Sequence, residues 1–131
     1  MQNVLSIVMP FSARELTQIQ LALDVLTQIN RWEIAAYGLP KLYASGVRYR
    51  GDVCLAPHVP GACEPFMSAK MTFDERFGDC DDLAPWLAAE RQLEGDVLAY
   101  AKAVRVGPDL IHCIVVNGDL SIEDPSRVLG M

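Results

Sequence analysis

The chain has no run of about 18 apolar residues, so it contains no segment that reads as a membrane-spanning helix. Its start, Met1-Gln2-Asn3-Val4-Leu5, lacks the basic residues that open a secretory signal, and Pro10, Arg14 and Glu15 interrupt the apolar stretch that follows. A cytoplasmic location is therefore expected. Positive charge is scarce: 11 Lys and Arg stand against 17 Asp and Glu, a formal charge of -6. A polyanion needs a basic face, so no nucleic-acid partner is expected, and no membrane partner either. There is no Gly-rich phosphate loop and no Cys-x-x-Cys knuckle, and no cofactor is expected. Low complexity and disorder are excluded by an apolar fraction of 51%. What remains is a chain of 131 residues, read as one domain over 1–131.

Four cysteines are present, Cys54, Cys63, Cys80 and Cys113. Free thiols are the expectation for Cys54 and Cys63, as in most reduced compartments. A disulfide between them remains an alternative, as does a metal site formed by Cys54, His58 and Cys63 with a fourth ligand.

The apolar period switches along the chain. Ser12-Ala13-Arg14-Glu15 has the form of a capping box, and Leu16, Ile19, Leu23 and Leu26 follow at helical spacing. This predicts a helix over 13–30, with 32–37 either continuing it or forming a second one before Gly38 and Pro40. Residues 47–50 alternate like a short strand. Gly51, Pro57, Pro60, Gly61 and Pro65 predict a long loop over 51–66, lying over or beside a cleft. A second helix is predicted to start near Cys80–Asp82, because Pro85 is best tolerated in a first turn, and to end at Gly95. Leu83, Trp86 and Leu87 would face inward, and Glu90 and Arg91 outward. Strands are then predicted over 97–106, 110–116 and 120–123, turning at Gly107-Pro108-Asp109 and Asn117-Gly118. The expected class is α+β, with helices packed on one face of an antiparallel meander.

Three residues combine chemistry with placement. Cys80 falls at a helix start, His112 in the middle strand, and Asp124 after the last strand. A thiol must have a lowered pKa to attack a carbonyl near neutral pH, and a helix N-terminus and an imidazolium both lower it. A carboxylate holds the imidazole in its working tautomer. A two-residue turn at Asn117-Gly118 would pair 116 with 119 and 112 with 123, leaving Asp124 one step out of register with His112. Asp79, Asp81 and Asp82 act against the thiolate, since neighbouring carboxylates raise a thiol pKa. Each residue alone also fits a plain structural role: a small filler, a strand residue, a turn residue.

Gly78-Asp79-Cys80-Asp81-Asp82-Leu83-Ala84 resembles the nucleophile motif of the transglutaminase-like branch of papain-fold cysteine enzymes, most closely the small bacteriophage-type members. His112 in Ile111-His112-Cys113-Ile114-Val115-Val116 and Asp124 in Glu123-Asp124-Pro125-Ser126 fall in the matching order, and Tyr43–Arg50 resembles the extended segment before the nucleophile. The resemblance implies a papain-like core in which the helix bearing Cys80 packs on an antiparallel sheet, with a Cys80-His112-Asp124 triad. Papain-like enzymes place a Gln before the nucleophile as an oxyanion donor, and residues 67–78 contain neither Gln nor Asn. Tyr49 is the candidate in its place, beside the Cys80 backbone amide, and Asp79 is a further residue at the substrate side.

The implied activity is that of a thiol hydrolase, a cysteine peptidase or amidase acting on peptide, isopeptide or glutamine amide bonds. Its partners would be peptide or protein substrates, cell-wall peptide among them. If phage-encoded, the protein would reside in the host cytoplasm or on the virion. Two alternatives are transglutaminase-type acyl transfer and a non-enzymatic phage assembly module that retains the fold.

Overall fold

The computed structural model describes residues 6–8, 16–51, 65–108 and 110–131. Along the chain run β1 (Ser6–Val8), α1 (Leu16–Tyr37), a 3-10 turn (Leu42–Ala44), β2 (Arg48–Tyr49), β3 (Pro65–Met67) and α2 (Ala69–Glu75). Then follow β4 (Phe77–Gly78), α3 (Cys80–Leu93), β5 (Tyr100–Gly107), β6 (Leu110–Val116), β7 (Ile122–Glu123) and α4 (Pro125–Val128). The class is α+β. Strands β5, β6 and β7 form an antiparallel sheet in that order. Among the described residues there are two further small pairings: β1 antiparallel to β3, and β2 parallel to β4. The capping box at 12–15 and most of the 51–66 loop, with Cys54, His58 and Cys63, lie outside the described residues. Among the described residues no helix is long and apolar enough to cross a membrane.

Helix α1 buries Ile19, Ala22, Leu23 and Leu26, the face its spacing marks out. It runs unbroken to Tyr37 because Asn30 and Glu33 carry the buried face onward as hydrogen-bond acceptors. Asn30 Oδ1 accepts the Ala69 amide at 2.7 Å, and Glu33 Oε1 accepts the Lys70 amide at 3.0 Å. These are the first amides of α2, which have no acceptor inside their own helix. Burial pushes the Glu33 carboxyl up, partly offset by that Lys70 amide.

Helix α3 is the centre of the molecule. Leu83, Trp86 and Leu87 are fully buried, as their spacing predicts. The outward placement of Glu90 is corrected: every residue from Asp81 to Glu90 is buried, and a Glu90 carboxylate oxygen accepts the Leu42 amide. A helix enclosed on all sides has no polar face, so a polar residue on it marks a buried partner. The helix begins at Cys80 as expected, but Pro85 lies in its second turn, so the Asp81 carbonyl has no intrahelical donor there. Gly95, at φ +111°, ends the helix with its amide on the Gln92 carbonyl at 3.1 Å.

The sheet lies under α1 and α3. Ala101 and Ala103 of β5 and Cys113 and Val115 of β6 are buried against them. Small side chains on β5 let α1 approach closely enough for Gln20 to reach the strand: its Nε2 donates to the Ala101 carbonyl at 2.7 Å and its Oε1 accepts the Ala103 amide at 2.9 Å. Residues 97–99 precede β5 as a turn, with Val97 and Leu98 exposed, so the strand starts at Tyr100. The second turn is longer than Asn117-Gly118 predicts. The Asn117 amide donates to the Ser121 carbonyl at 2.9 Å, leaving a three-residue loop, and Leu120 takes the left-handed conformation at φ +72°. The register is therefore Val116 with Ile122 and Val115 with Glu123. The expected pairing of 116 with 119 does not occur.

Candidate functional site

Cys80 opens α3 directly after β4. A side chain on Gly78 would bring a Cβ within 3.0 Å of Asp82 Cβ and 3.0 Å of Thr72 Cγ2, so the strand passes the helix start only with a bare Cα. Gly78→Ala is expected to cost about 1–3 kcal/mol through overpacking. Denaturant unfolding checks this, and an unchanged midpoint would show that both contacts yield freely.

The corrected register brings His112 and Asp124 together. Continued by one residue, it sets Asp124 opposite Ile114, which shares a strand face with His112, so the two side chains meet on the diagonal. His112 Nε2 lies 2.8 Å from Asp124 Oδ2. Asp124 is fixed from both sides. It is the N-cap of α4, with Pro125 at the first helical position, and Arg127 Nε stands 3.4 Å from Oδ2. On the other side, Glu123 takes a two-pronged contact from Arg91 of α3, at 2.8 Å for both Nε and Nη2, which ties β7 to the central helix.

With Nε2 engaged by Asp124, His112 uses its other ring nitrogen for Cys80, to which it is hydrogen-bonded. A second partner is Cys113, whose thiol and backbone amide both bond the Cys80 sulfur. The Cys80 thiol is lowered to about 6, most by the Cys113 thiol and then by His112, while burial and the Asp79 charge oppose. His112 is pushed up to about 9 by its bond to Cys80 and then by Asp124, against burial. Between these values the pair is a thiolate facing an imidazolium. The Cys113 thiol is pushed well above its usual range, first by the Cys80 charge it donates to and then by burial, so it remains a donor.

Sequence reasoning treated Cys113 only as the residue after His112. Adjacent strand residues point to opposite faces, so spacing gives no reason for both to reach one sulfur. The signal available was a second thiol next to the candidate base.

Tyr49 stands at the same site. Its strand is held by the Arg50 amide on the Gly78 carbonyl at 2.8 Å and the Tyr49 amide on the Leu129 carbonyl at 2.9 Å, which places it between β4 and the end of α4. Its phenol is pushed up by burial and then by the charges of Cys80, Asp79 and Asp124, so it is a neutral donor at pH 7. Tyr43–Arg50 is not extended throughout, since Leu42–Ala44 form the 3-10 turn; Arg48 and Arg50 are exposed.

Asp79 is the N-cap of α3, and the Asp82 carboxylate accepts the Asp79 amide at 3.1 Å and the Met67 amide at 2.7 Å. Asp79, Asp81 and Asp82 bring ligand atoms within 4.8 Å of one another, an arrangement that can hold a cation or share protons. Burial, then the charge of Asp79, pushes the Asp81 and Asp82 carboxyls well up. Protons are the simpler source of the missing positive charge, since the helix N-terminus already repels a metal ion.

Comparison with protein-family models, with curated proteins and with solved structures finds no match to this chain.

Proposed function

We propose that the protein is a thiol hydrolase, a cysteine peptidase or amidase of the transglutaminase-like, papain-fold kind. One observation carries the reading: Cys80, His112 and Asp124 form a continuous hydrogen-bonded line at the start of a buried helix. The line is polarised in the direction that the chemistry needs. The Cys80 thiolate attacks the carbonyl carbon of a peptide, isopeptide or glutamine amide. The oxyanion is met by the Cys80 amide, one of the first helical N–H groups without an intrahelical acceptor, and by the Tyr49 hydroxyl. His112 gives its proton to the departing amine, and a thioester is left on Cys80. His112, now neutral, takes a proton from water, which attacks the thioester and frees the acid. Asp124 keeps the imidazole turned toward the sulfur throughout. Asp79, beside the nucleophile, favours substrates with a cationic group near the scissile bond.

Acyl transfer differs only in the last step, where an amine replaces water. The test is turnover of fluorogenic peptide amides and of glutamine and isopeptide substrates, with and without an added primary amine. Hydrolysis is expected, abolished in Cys80→Ala and slowed roughly a hundred- to thousandfold in Asp124→Asn. Full activity in Cys80→Ala would reject the reading. Amine incorporation outrunning hydrolysis would replace it with acyl transfer. Absence of turnover across all three substrate classes would favour the assembly module.

A further inference from the structure

The thiol chemistry of this site involves two cysteines. Cys80 and Cys113 are both free; Cys113 belongs to the buried cluster against which Cys80 packs, and the two thiols act on each other as direct side-chain neighbours. Cys113 is 2% exposed, on the sheet face under α3, whereas Cys80 is only partly covered at the helix start. An oxidant from solvent therefore meets Cys80 first and finds a second thiol directly behind it.

We propose that Cys80 and Cys113 are a peroxide-responsive redox pair, in which Cys80 is oxidised and Cys113 resolves it as a reversible disulfide. The Cys80 thiolate attacks one oxygen of hydrogen peroxide. The O–O bond breaks, hydroxide leaves and takes up a proton, and Cys80 becomes a sulfenic acid. The Cys113 sulfur then attacks the Cys80 sulfur. The S–O bond breaks, the Cys113 proton leaves with the hydroxyl as water, and an S–S bond forms. The two thiols together lose two electrons, and peroxide is reduced to two waters. A dithiol reductant reverses the step.

The surroundings favour both halves. His112 stabilises the attacking thiolate and stands close enough to protonate the leaving hydroxide. Cys113 is held protonated chiefly by the charge on Cys80, and sulfenic acid formation removes that charge, which frees Cys113 to react. The sulfurs must close to about 2.05 Å. Cys80 makes that movement more easily than Cys113, because it sits in the first turn of its helix while Cys113 is paired with Ala103 inside the sheet. The pairing also protects the nucleophile, since a disulfide stops oxidation short of the irreversible sulfinic stage. That the disulfide switches activity off rests on the proposed hydrolase reading; that it forms does not.

The experiment uses the full chain, reduced, then exposed to stoichiometric hydrogen peroxide and mapped by mass spectrometry without reduction. A peptide joining Cys80 to Cys113 is expected, with loss of both free-thiol signals and their full return after dithiothreitol. In Cys113→Ala, given at least two equivalents of peroxide because each oxidation step consumes one, Cys80 is expected to go on to sulfinic acid, which dithiothreitol does not recover. Wild-type Cys80 oxidised to sulfinic acid, joined to Cys54 or Cys63, or left unoxidised would overturn the proposal. The wild-type map decides the matter even if the variant does not fold. It is also independent of turnover, so failure of the hydrolase reading and failure of the redox pair are separately visible.

Discussion

His112→Ala is expected to move the pH midpoint of Cys80 alkylation upward from about 6 by roughly one to two pH units, while turnover falls about a thousandfold or more. The two readouts diverge for a physical reason. Removing the imidazolium leaves the Cys113 thiol, the larger lowering influence on Cys80, in place, so the thiolate is weakened and not lost. A thiolate of higher pKa is also a better nucleophile, with a Brønsted slope of about 0.4–0.5, which compensates much of the lost ionised fraction. The iodoacetamide rate at pH 7 alone therefore changes little, and the midpoint is the quantity to measure. Turnover has no such compensation, because the proton for the departing amine has gone. In the wild type, activity should rise as pH passes about 6, when Cys80 ionises, and fall as pH passes about 9, when His112 loses its proton. Asp124→Asn should shift the upper limb downward, since the carboxylate helps hold that proton. An alkylation midpoint that does not move in His112→Ala would show that the imidazole does not face the sulfur in solution.

Asp81→Asn is expected to stabilise the fold by about 1–2 kcal/mol at pH 8 and by almost nothing near pH 4. Asp81 is raised well above its ordinary value of 3.8 by burial, then by Asp79 and Asp82, and its Oδ1 is buried with no hydrogen-bond partner. The sign follows from proton counting. Between 3.8 and the raised folded value, the folded chain holds a proton that the unfolded chain has released. The stability tied to that proton is complete below 3.8 and is lost as pH rises through the folded value. Asparagine copies the protonated acid in shape and can donate toward Asp79 as the acid does, without a proton to lose. Wild type and variant should therefore have similar midpoints in acid and separate progressively toward alkaline pH. Parallel stability curves across that range would mean that Asp81 is ionised at no cost in the fold.

The sequence made the chemistry of the site legible sooner than its geometry. A cysteine two residues after a glycine at a helix start, a histidine in a β-branched strand and an Asp-Pro step each announce their local structure, and these three residues are the ones brought together. The register that joins them was not legible. Asn-Gly favours a two-residue turn, but Gly118 is anchored by Asp96, which accepts its amide at 3.0 Å, and the left-handed position falls to Leu120, a residue with no intrinsic preference for it. Tertiary anchoring overrode the local turn signal. Whether 32–37 continues α1 or forms a second helix was not decidable from the apolar period, and α2 gave no signal in it, for a related reason. Asn30 and Glu33 break an apolar period while lying on the buried face, because their partners are amides far along the chain. Periodicity sees hydrophobicity, and it cannot see a buried acceptor matched to a distant donor. The start of α3 was readable to within a turn from Pro85 and its end from Gly95, but its enclosure on every side was not, since Glu90 reads as a surface residue until its acceptor role for Leu42 is known.

The Gln20 side chain has a consequence for how the molecule behaves in a crowd. An outermost strand offers a line of amides and carbonyls to any extended chain that drifts past, and growth of the sheet from such a border is a route to aggregation. A primary amide carries donors on its nitrogen and an acceptor on its oxygen, so it can present the donor-acceptor pair that a neighbouring strand would. Gln20 delivers that pair from a helix to Ala101 and Ala103, so hydrogen bonding at that stretch of β5 is satisfied while no further strand can be added there. One side chain thus closes the border beside the alanines that are least able to defend it, since they have neither bulk nor charge to turn an intruder away.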